Sequence, residues 1–103
     1  MEILKFVWDR TIAFLNTMPK AVRKNKGQFF TSIETAKYMA SLFDAELLKD
    51  EISILDPGCG TGMLSAAFLE RIQEIKRIKK VHLTCYETDT EVLPVLQENL
   101  EFI

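Results

Sequence analysis

The stretch ILDPGCGTGML, residues 54–64, decides the fold of this chain. It has three glycines at alternate positions directly after an acidic residue, Asp56, with apolar residues on both sides. The β-branched and leucine-rich run 51–55 leads into it, which predicts a buried strand that ends where a proline follows. Apolar residues over 64–75 then recur at helical spacing. The stretch therefore predicts a strand, a glycine turn and a helix.

The sequence after this unit predicts a second strand and a further helix. Apolar and polar residues alternate over 81–87, as in a strand with two different faces. Asp89 or Thr90 is expected to cap the last helix, in which Pro94 is tolerated because it stands near the first turn. We therefore expect residues 51–103 to be the opening part of a doubly wound α/β fold, with two parallel strands.

The sequence before the glycine stretch predicts helices over 3–16 and about 31–48. Thr31 and Glu34 have the spacing of a capping box, which places the start of the second helix at Thr31. Residues 1–50 are thus expected to form a helical N-terminal extension. Together with the α/β unit they would make 1–103 a single partial domain.

The composition excludes several classes of protein. The chain has 103 residues, of which 48% are hydrophobic, enough for a packed core. No apolar run approaches the roughly 20 residues of a membrane helix, so we expect no membrane partner. Cys59 and Cys85 stand apart without metal-site spacing, which indicates reduced thiols and a cytoplasmic protein.

The glycine turn is of a kind that holds a ligand. The helix after such a turn points free N–H groups at the ligand, and glycines let the ligand approach the backbone. The spacing is GxGxG, unlike the GxGxxG of dinucleotide-binding folds, and Asp56 would repel a pyrophosphate. An acid at this place suits a ligand with an ammonium group beside its carboxylate, as in a methionine-like amino acid.

A second acid, Glu87, completes the predicted ligand. It stands at the end of the second strand, 25 residues after Gly62, where such folds place a carboxylate that accepts the ribose hydroxyls. An amino acid joined to a nucleoside is S-adenosyl-L-methionine, which is the predicted cofactor. The alternative interpretation is a purely structural glycine turn, with Asp56 and Glu87 as ordinary strand-end acids.

Two motifs resemble those of a known family. Residues 56–62, DPGCGTG, resemble the DPxCGxG motif of N6-adenine DNA methyltransferases, and residues 27–31, GQFFT, are similar to their GQFFTP motif. This motif order resembles the γ class of amino-methyltransferases, such as Eco57I-type methylases or the modification subunit of type I restriction-modification systems. Ser32 stands where the family commonly has proline, and Gly58 replaces a more usual alanine or serine.

The resemblance implies a Rossmann-like S-adenosylmethionine-dependent fold and methyl transfer to the adenine amino group of DNA in a restriction-modification system. The implied cofactor-binding residues are Phe30, Thr31, Asp56, Pro57, Gly58, Cys59, Gly60, Gly62, Glu87 and Thr88. The catalytic [DNS]PP[YF] motif of the family does not occur in the chain, so no catalytic residue is expected. We therefore expect an N-terminal, cofactor-binding portion of a longer enzyme, inactive by itself.

Other functions remain open at the level of sequence. Methyltransferases of RNA bases or of a protein glutamine amide use the same cofactor unit. A non-catalytic module could instead pair with another chain, including a second copy, through the uncovered sheet edge. DNA is the expected partner of the full-length enzyme. The basic residues that could contact its phosphates, or could equally form a solvated connector, are Lys20, Arg23, Lys24 and Lys26.

Overall fold

The structure, a computed structural model, describes residues 2–21, 30–44 and 48–102 of the chain. In chain order its elements are helix α1 (Ile3–Leu15), helix α2 (Ile33–Ser41), strand β1 (Glu51–Pro57), helix α3 (Met63–Ile72), strand β2 (Lys80–Tyr86) and helix α4 (Leu93–Phe102). The strands pair in parallel, in a register that runs from Glu51 opposite Lys80 to Pro57 opposite Tyr86. The predicted α/β unit with two parallel strands is confirmed.

The core lies between α1, α2, α3 and one face of the sheet. Leu4 and Val7 of α1 are fully buried, and the alanines of α2 and α3 let these two helices pack closely. Side chains that alternate along the strands, among them Ile54 and Val81, pack against this cluster. The strands thus present one apolar face to the helices, as the period-2 pattern requires.

The opposite face of the sheet carries exposed side chains within the described part of the chain. Leu55 is 63% exposed and Tyr86 is 61% exposed. On the same face His82 Nε2 lies 3.0 Å from Glu51 Oε1. A doubly wound sheet has helices on both faces, so this face is the one that a second layer would cover.

Helix α2 corrects the prediction at both ends. Its N-cap is Ser32, whose Oγ accepts a hydrogen bond from the Thr35 backbone N–H at 3.3 Å, so the prediction of a helix start at Thr31 was wrong. The helix ends at Ser41, several residues before the predicted end. Beyond it the chain turns so that the Phe43 ring packs edge-on against Phe68 of α3, with centroids 4.9 Å apart.

Helix α4 begins later than its predicted cap. Asp89 Oδ1 accepts from the Glu91 N–H at 2.9 Å, and the Asp89 carbonyl accepts from Val92 at 3.1 Å, so Asp89 organises a turn before the helix. Pro94 is the second residue of α4, as predicted for a proline near the first turn. No helix in the described ranges combines the length and apolar character that crossing a membrane would require.

Candidate functional site

The glycine loop between β1 and α3 has a backbone that other residues would adopt only with strain. Gly58, Gly60 and Gly62 have φ angles of +64°, +58° and +96°. Left-handed backbone of this kind costs a residue with a β-carbon about 1–2 kcal/mol. Gly62 is the N-cap of α3 and has no side chain that could accept a hydrogen bond from the helix. The first-turn N–H groups of α3 therefore face the loop without a side-chain cap from Gly62.

Backbone hydrogen bonds attach this loop to the end of β2. The Cys59 N–H donates to the Tyr86 carbonyl at 3.0 Å, and the Gly62 N–H donates to the Cys59 carbonyl at 3.0 Å. The first bond continues the pairing of the two strands beyond Pro57. The loop therefore starts from a fixed point at the carboxyl edge of the sheet, where ligands bind in open α/β folds.

Glu87 bridges the glycine loop and the turn before α4. Its Oε1 accepts from the Gly60 backbone N–H at 2.8 Å, and its Oε2 accepts from the Asp89 N–H at 3.0 Å. A carboxylate offers about four acceptor positions, and these two bonds use two of them. The carboxylate can therefore accept further hydrogen bonds.

A small cleft forms where the segment before α2 meets the glycine loop. It is lined by Phe30, Thr31, Gly58, Cys59, Gly60, Thr61 and Met63. A β-carbon placed on Gly60 would lie 3.5 Å from the Phe30 ring, an ordinary van der Waals distance, so the ring borders the space beside this glycine. Five of the predicted cofactor residues thus come together, although they derive from two distant parts of the sequence.

The other predicted residues do not line this cleft. Pro57, the last residue of β1, and Thr88, two residues after β2, are exposed. Gly62 is the N-cap of α3. Asp56 lies on the side of the sheet that faces α3, where its Oδ2 accepts a hydrogen bond from Ser65 Oγ at 2.5 Å. These two residues line a separate apolar groove beside β1. Binding of a ligand ammonium group by Asp56 therefore stays a prediction.

The predicted basic contacts fall mainly outside the described residues. Arg23, Lys24 and Lys26 lie there, as does Phe29 of the upstream motif. Lys20 is described and is exposed.

Comparison with known proteins identifies the family. The family model described as "N-6 DNA Methylase" matches residues 12–100, which include every residue of the cleft and Glu87. The chain belongs to the N-6 DNA methylase family. The family that the two motifs predicted is thereby confirmed.

Two bacterial methyltransferases are similar to this N-6 DNA methylase chain. It is 36% identical to the type II methyltransferase M.PstI of Providencia stuartii over 72 residues, which are 70% of this chain and 14% of that protein. It is 40% identical to the type II methyltransferase M.BsuBI of Bacillus subtilis over 80 residues, 75% of this chain and 16% of that protein. The chain thus spans about one sixth or less of their length. No solved structure gives a significant match.

The thiol in the cleft of this N-6 DNA methylase chain is held neutral. Burial of the thiol is the main cause that raises the pKa of Cys59 from 9.0 to about 12. Smaller contributions in the same direction come from the nearby Cys85, Asp56 and Glu87. A protonated thiol is a poor nucleophile, so Cys59 acts as a small wall of the cleft rather than as a reactive group.

Two residues near the glycine loop were missed at the level of sequence. Ser65 holds Asp56, and Met63 lines the cleft. Thr61, which belongs to the motif that resembles the family, is buried inside the loop. Ser65 stands in the first turn after the glycines, where its hydroxyl can reach back to the strand end. That position was the available signal, since a polar residue there interrupts an otherwise apolar helix start.

Proposed function

We propose that the chain forms the S-adenosylmethionine-binding unit of a DNA (adenine-N6)-methyltransferase with a Rossmann-like fold. In this proposal residues 1–50 are a helical extension that carries the upstream cofactor motif, and 51–103 are the first two βα units. The observation that carries it is the Glu87 bridge to Gly60, within a chain of the N-6 DNA methylase family. This bridge places a carboxylate with spare acceptor capacity beside an N–H-rich loop.

The described residues fit the two ends of this cofactor. The Glu87 carboxylate would hold the ribose hydroxyls, and the loop backbone with the α3 N-terminus would face the methionine carboxylate. Phe30 and Thr31 would line the binding site around the methionine end of the cofactor. When bound, the cofactor supplies an electrophilic methyl group. The contribution of these residues is to bind and orient it, which is a major part of catalysis in group transfer.

The substrate assignment follows the family and the named relatives. Both relatives are type II methyltransferases, and we propose by analogy that DNA is the partner and that the protein acts in restriction-modification. Incubation of the full-length gene product with labelled cofactor and with DNA, RNA or protein separates the alternatives. Label in N6-methyladenine of DNA is expected. Label confined to RNA bases or to protein glutamine would overturn the DNA assignment.

The cofactor proposal is tested by calorimetric titration of S-adenosylmethionine into the chain and into the full-length product of its gene. Glu87→Ala is expected to abolish the heat of binding. Glu74→Ala is the matched control, because Glu74 is an exposed acid that follows the end of α3 away from the loop. Equal affinity in the wild type and in Glu87→Ala would reject the site.

A second candidate function rests on the open face of the sheet. Leu55 and Tyr86 together expose apolar surface there, and such surface commonly marks an interaction site. In this alternative the chain is a module that associates with itself or another protein. Sedimentation velocity of the wild type and of Leu55→Ser tests self-association. Concentration-dependent dimers that the substitution removes would support self-association, and a monomer at all concentrations would reject self-association.

A further inference from the structure

Buried polar groups join α1, the glycine loop and α4. Thr11 Oγ1 of α1 lies 2.7 Å from Thr61 Oγ1 of the loop. Asn99 Nδ2 of α4 donates to the Thr61 carbonyl at 2.9 Å. Thr11 and Asn99 are 0% exposed and Thr61 is 1% exposed. One loop residue is therefore held by its side chain from one helix and by its backbone from another.

The direction of the hydroxyl bonds follows from counting protons. Each threonine hydroxyl has one proton to donate. Thr11 Oγ1 donates to the Val7 carbonyl at 2.8 Å, within α1. The proton between the two threonines therefore comes from Thr61, which donates to Thr11. Loss of the Thr11 hydroxyl would leave the Thr61 donor buried without an acceptor, the more costly kind of hydrogen-bond deletion.

Asn99 has a similarly specific relation to the loop. Its Oδ1 is buried and accepts no hydrogen bond from the described residues. The hydrogen bond that the Asn99 amide makes is therefore the one from Nδ2 to the Thr61 carbonyl. An asparagine at a fully buried helix position is otherwise unfavourable. The contact with the loop therefore explains the polar residue on an apolar helix face.

A surface ion pair joins the same two helices beside these contacts. Arg10 pairs with Glu98, and these residues precede Thr11 and Asn99 in sequence. Both side chains are about half exposed, so the pair adds little stability. It does show that α1 and α4 also meet at the surface next to the buried polar contacts.

Thr61 stands between Gly60 and Gly62 in sequence. Gly60 donates its backbone N–H to Glu87, and Gly62 is the N-cap of α3. Glycines cannot hold a single conformation by themselves, because many backbone angles are open to them. We propose that Thr11 and Asn99 are positioning residues that fix the glycine loop through Thr61, while Glu87 holds the same loop through the Gly60 N–H. The consequence for cofactor affinity rests on the proposed function, whereas the consequence for loop conformation does not.

The test compares four variants by two readouts. The amide resonances of Gly60 and Gly62 in 1H–15N spectra report loop conformation without any ligand, and titration with S-adenosylmethionine reports affinity. Thr11→Val is expected to shift both glycine resonances and to weaken cofactor binding about tenfold, because binding would then have to order a loop that the wild type holds in place. Thr11→Ser keeps the hydroxyl and should behave as wild type.

Two further variants make the comparison specific. Thr17→Val removes an exposed hydroxyl that bonds to Phe14 O just after α1, and it should leave both readouts unchanged. Thr11→Val/Thr61→Val leaves no buried hydroxyl unpaired and should recover folding stability, which keeps the test available if Thr11→Val alone does not fold. Because Thr61 is the sequence neighbour of both glycines, its substitution alone shifts their resonances. The loop readout in the double variant is therefore the 15N heteronuclear NOE of Gly60 and Gly62, which should fall below the wild-type values.

The outcomes separate this inference from the proposed function. Unchanged Gly60 and Gly62 resonances in the folded Thr11→Val variant would overturn the inference, even if the melting temperature falls. If Thr11→Val does not fold, wild-type heteronuclear NOE values for these glycines in the double variant would overturn it. Shifted resonances with weakened binding would support it in full. Wild-type protein that binds no S-adenosylmethionine would overturn the proposed function, while the glycine resonances would still decide whether Thr11 positions the loop.

Discussion

The Glu87 carboxylate accepts the Gly60 backbone N–H at 2.8 Å and thereby ties the turn after β2 to the glycine loop after β1. The same carboxylate also holds the Asp89 N–H at 3.0 Å. The acid that the sequence predicts to bind a ribose therefore also shapes the loop. A change at this residue should affect both stability and binding.

Replacement of Glu87 by glutamine tests this double role. Glutamine offers one carbonyl oxygen and an NH₂ group, so one of the two backbone N–H groups would meet another donor. We expect a loss of about 1–2 kcal/mol in the free energy of unfolding, together with weaker cofactor binding. Urea unfolding followed by circular dichroism measures the first effect. Glu74→Gln is the matched control, and equal stability of the two variants would contradict the bridge.

Substitution of the loop glycines separates backbone strain from steric contact. Gly58 and Gly60 have nearly the same φ, and a β-carbon at Gly58 would meet no atom within 4 Å, whereas one at Gly60 would touch the Phe30 ring at an ordinary 3.5 Å. Strain should therefore dominate at both positions. We expect Gly58→Ala and Gly60→Ala each to lose about 1 kcal/mol of stability, after the smaller entropy of the unfolded alanine chain is included.

Thermal unfolding of the two alanine variants under identical conditions makes this comparison. Similar losses would support strain as the common cause. A much larger loss at Gly60 would show instead that contact with Phe30 limits the loop, and no loss at either position would contradict the left-handed backbone.

The N-cap of α2 supplies another prediction. Ser32 Oγ accepts the Thr35 N–H, so Ser32→Ala should destabilise the protein by about 1 kcal/mol. Thr31→Val should cost less stability, because Thr31 lies before the helix and lines the cleft. Ser41→Ala is the control, since Ser41 is exposed and its Oγ donates to the Tyr38 carbonyl at the end of the same helix. Denaturant midpoints that rank Thr31→Val as the most destabilised variant would restore Thr31 as the cap.

Features with a local cause were predictable from sequence, and features with a tertiary cause were not. The glycine turn and β2 follow from the glycines next to Asp56 and from alternation, and both lie within a residue or so of their predicted places. Strand β1 was predicted to be buried and to end before Asp56, but it runs to Pro57 and exposes every second side chain. The end of α2 depends on Phe43 reaching Phe68, which no local pattern encodes.

The site shows the same division. The cleft joins Phe30 to Gly60 as the family motifs implied, although the assignment of ligand contacts stays a prediction. The role of Thr11 was not recognised, although a polar residue in the stripe that includes Leu4 and Val7 was a signal that it has a buried partner. The partner itself, Thr61, could not be found without the packing of α1 against the loop.

The raised pKa of Cys59 predicts a stability change at alkaline pH. Burial, then Cys85, Asp56 and Glu87, raise this pKa from 9.0 to about 12, so the folded chain keeps a proton that the unfolded chain releases above pH 9. Stability from this group is therefore fully present below pH 9 and falls as pH rises toward 12. Cys59→Ala removes the Cys59 thiol and leaves every other titratable residue in place, so it is the control for this effect. We expect urea midpoints measured from pH 8 to pH 10.5 to fall more steeply for the wild type than for Cys59→Ala, and parallel profiles would show that Cys59 has an ordinary pKa in the folded chain.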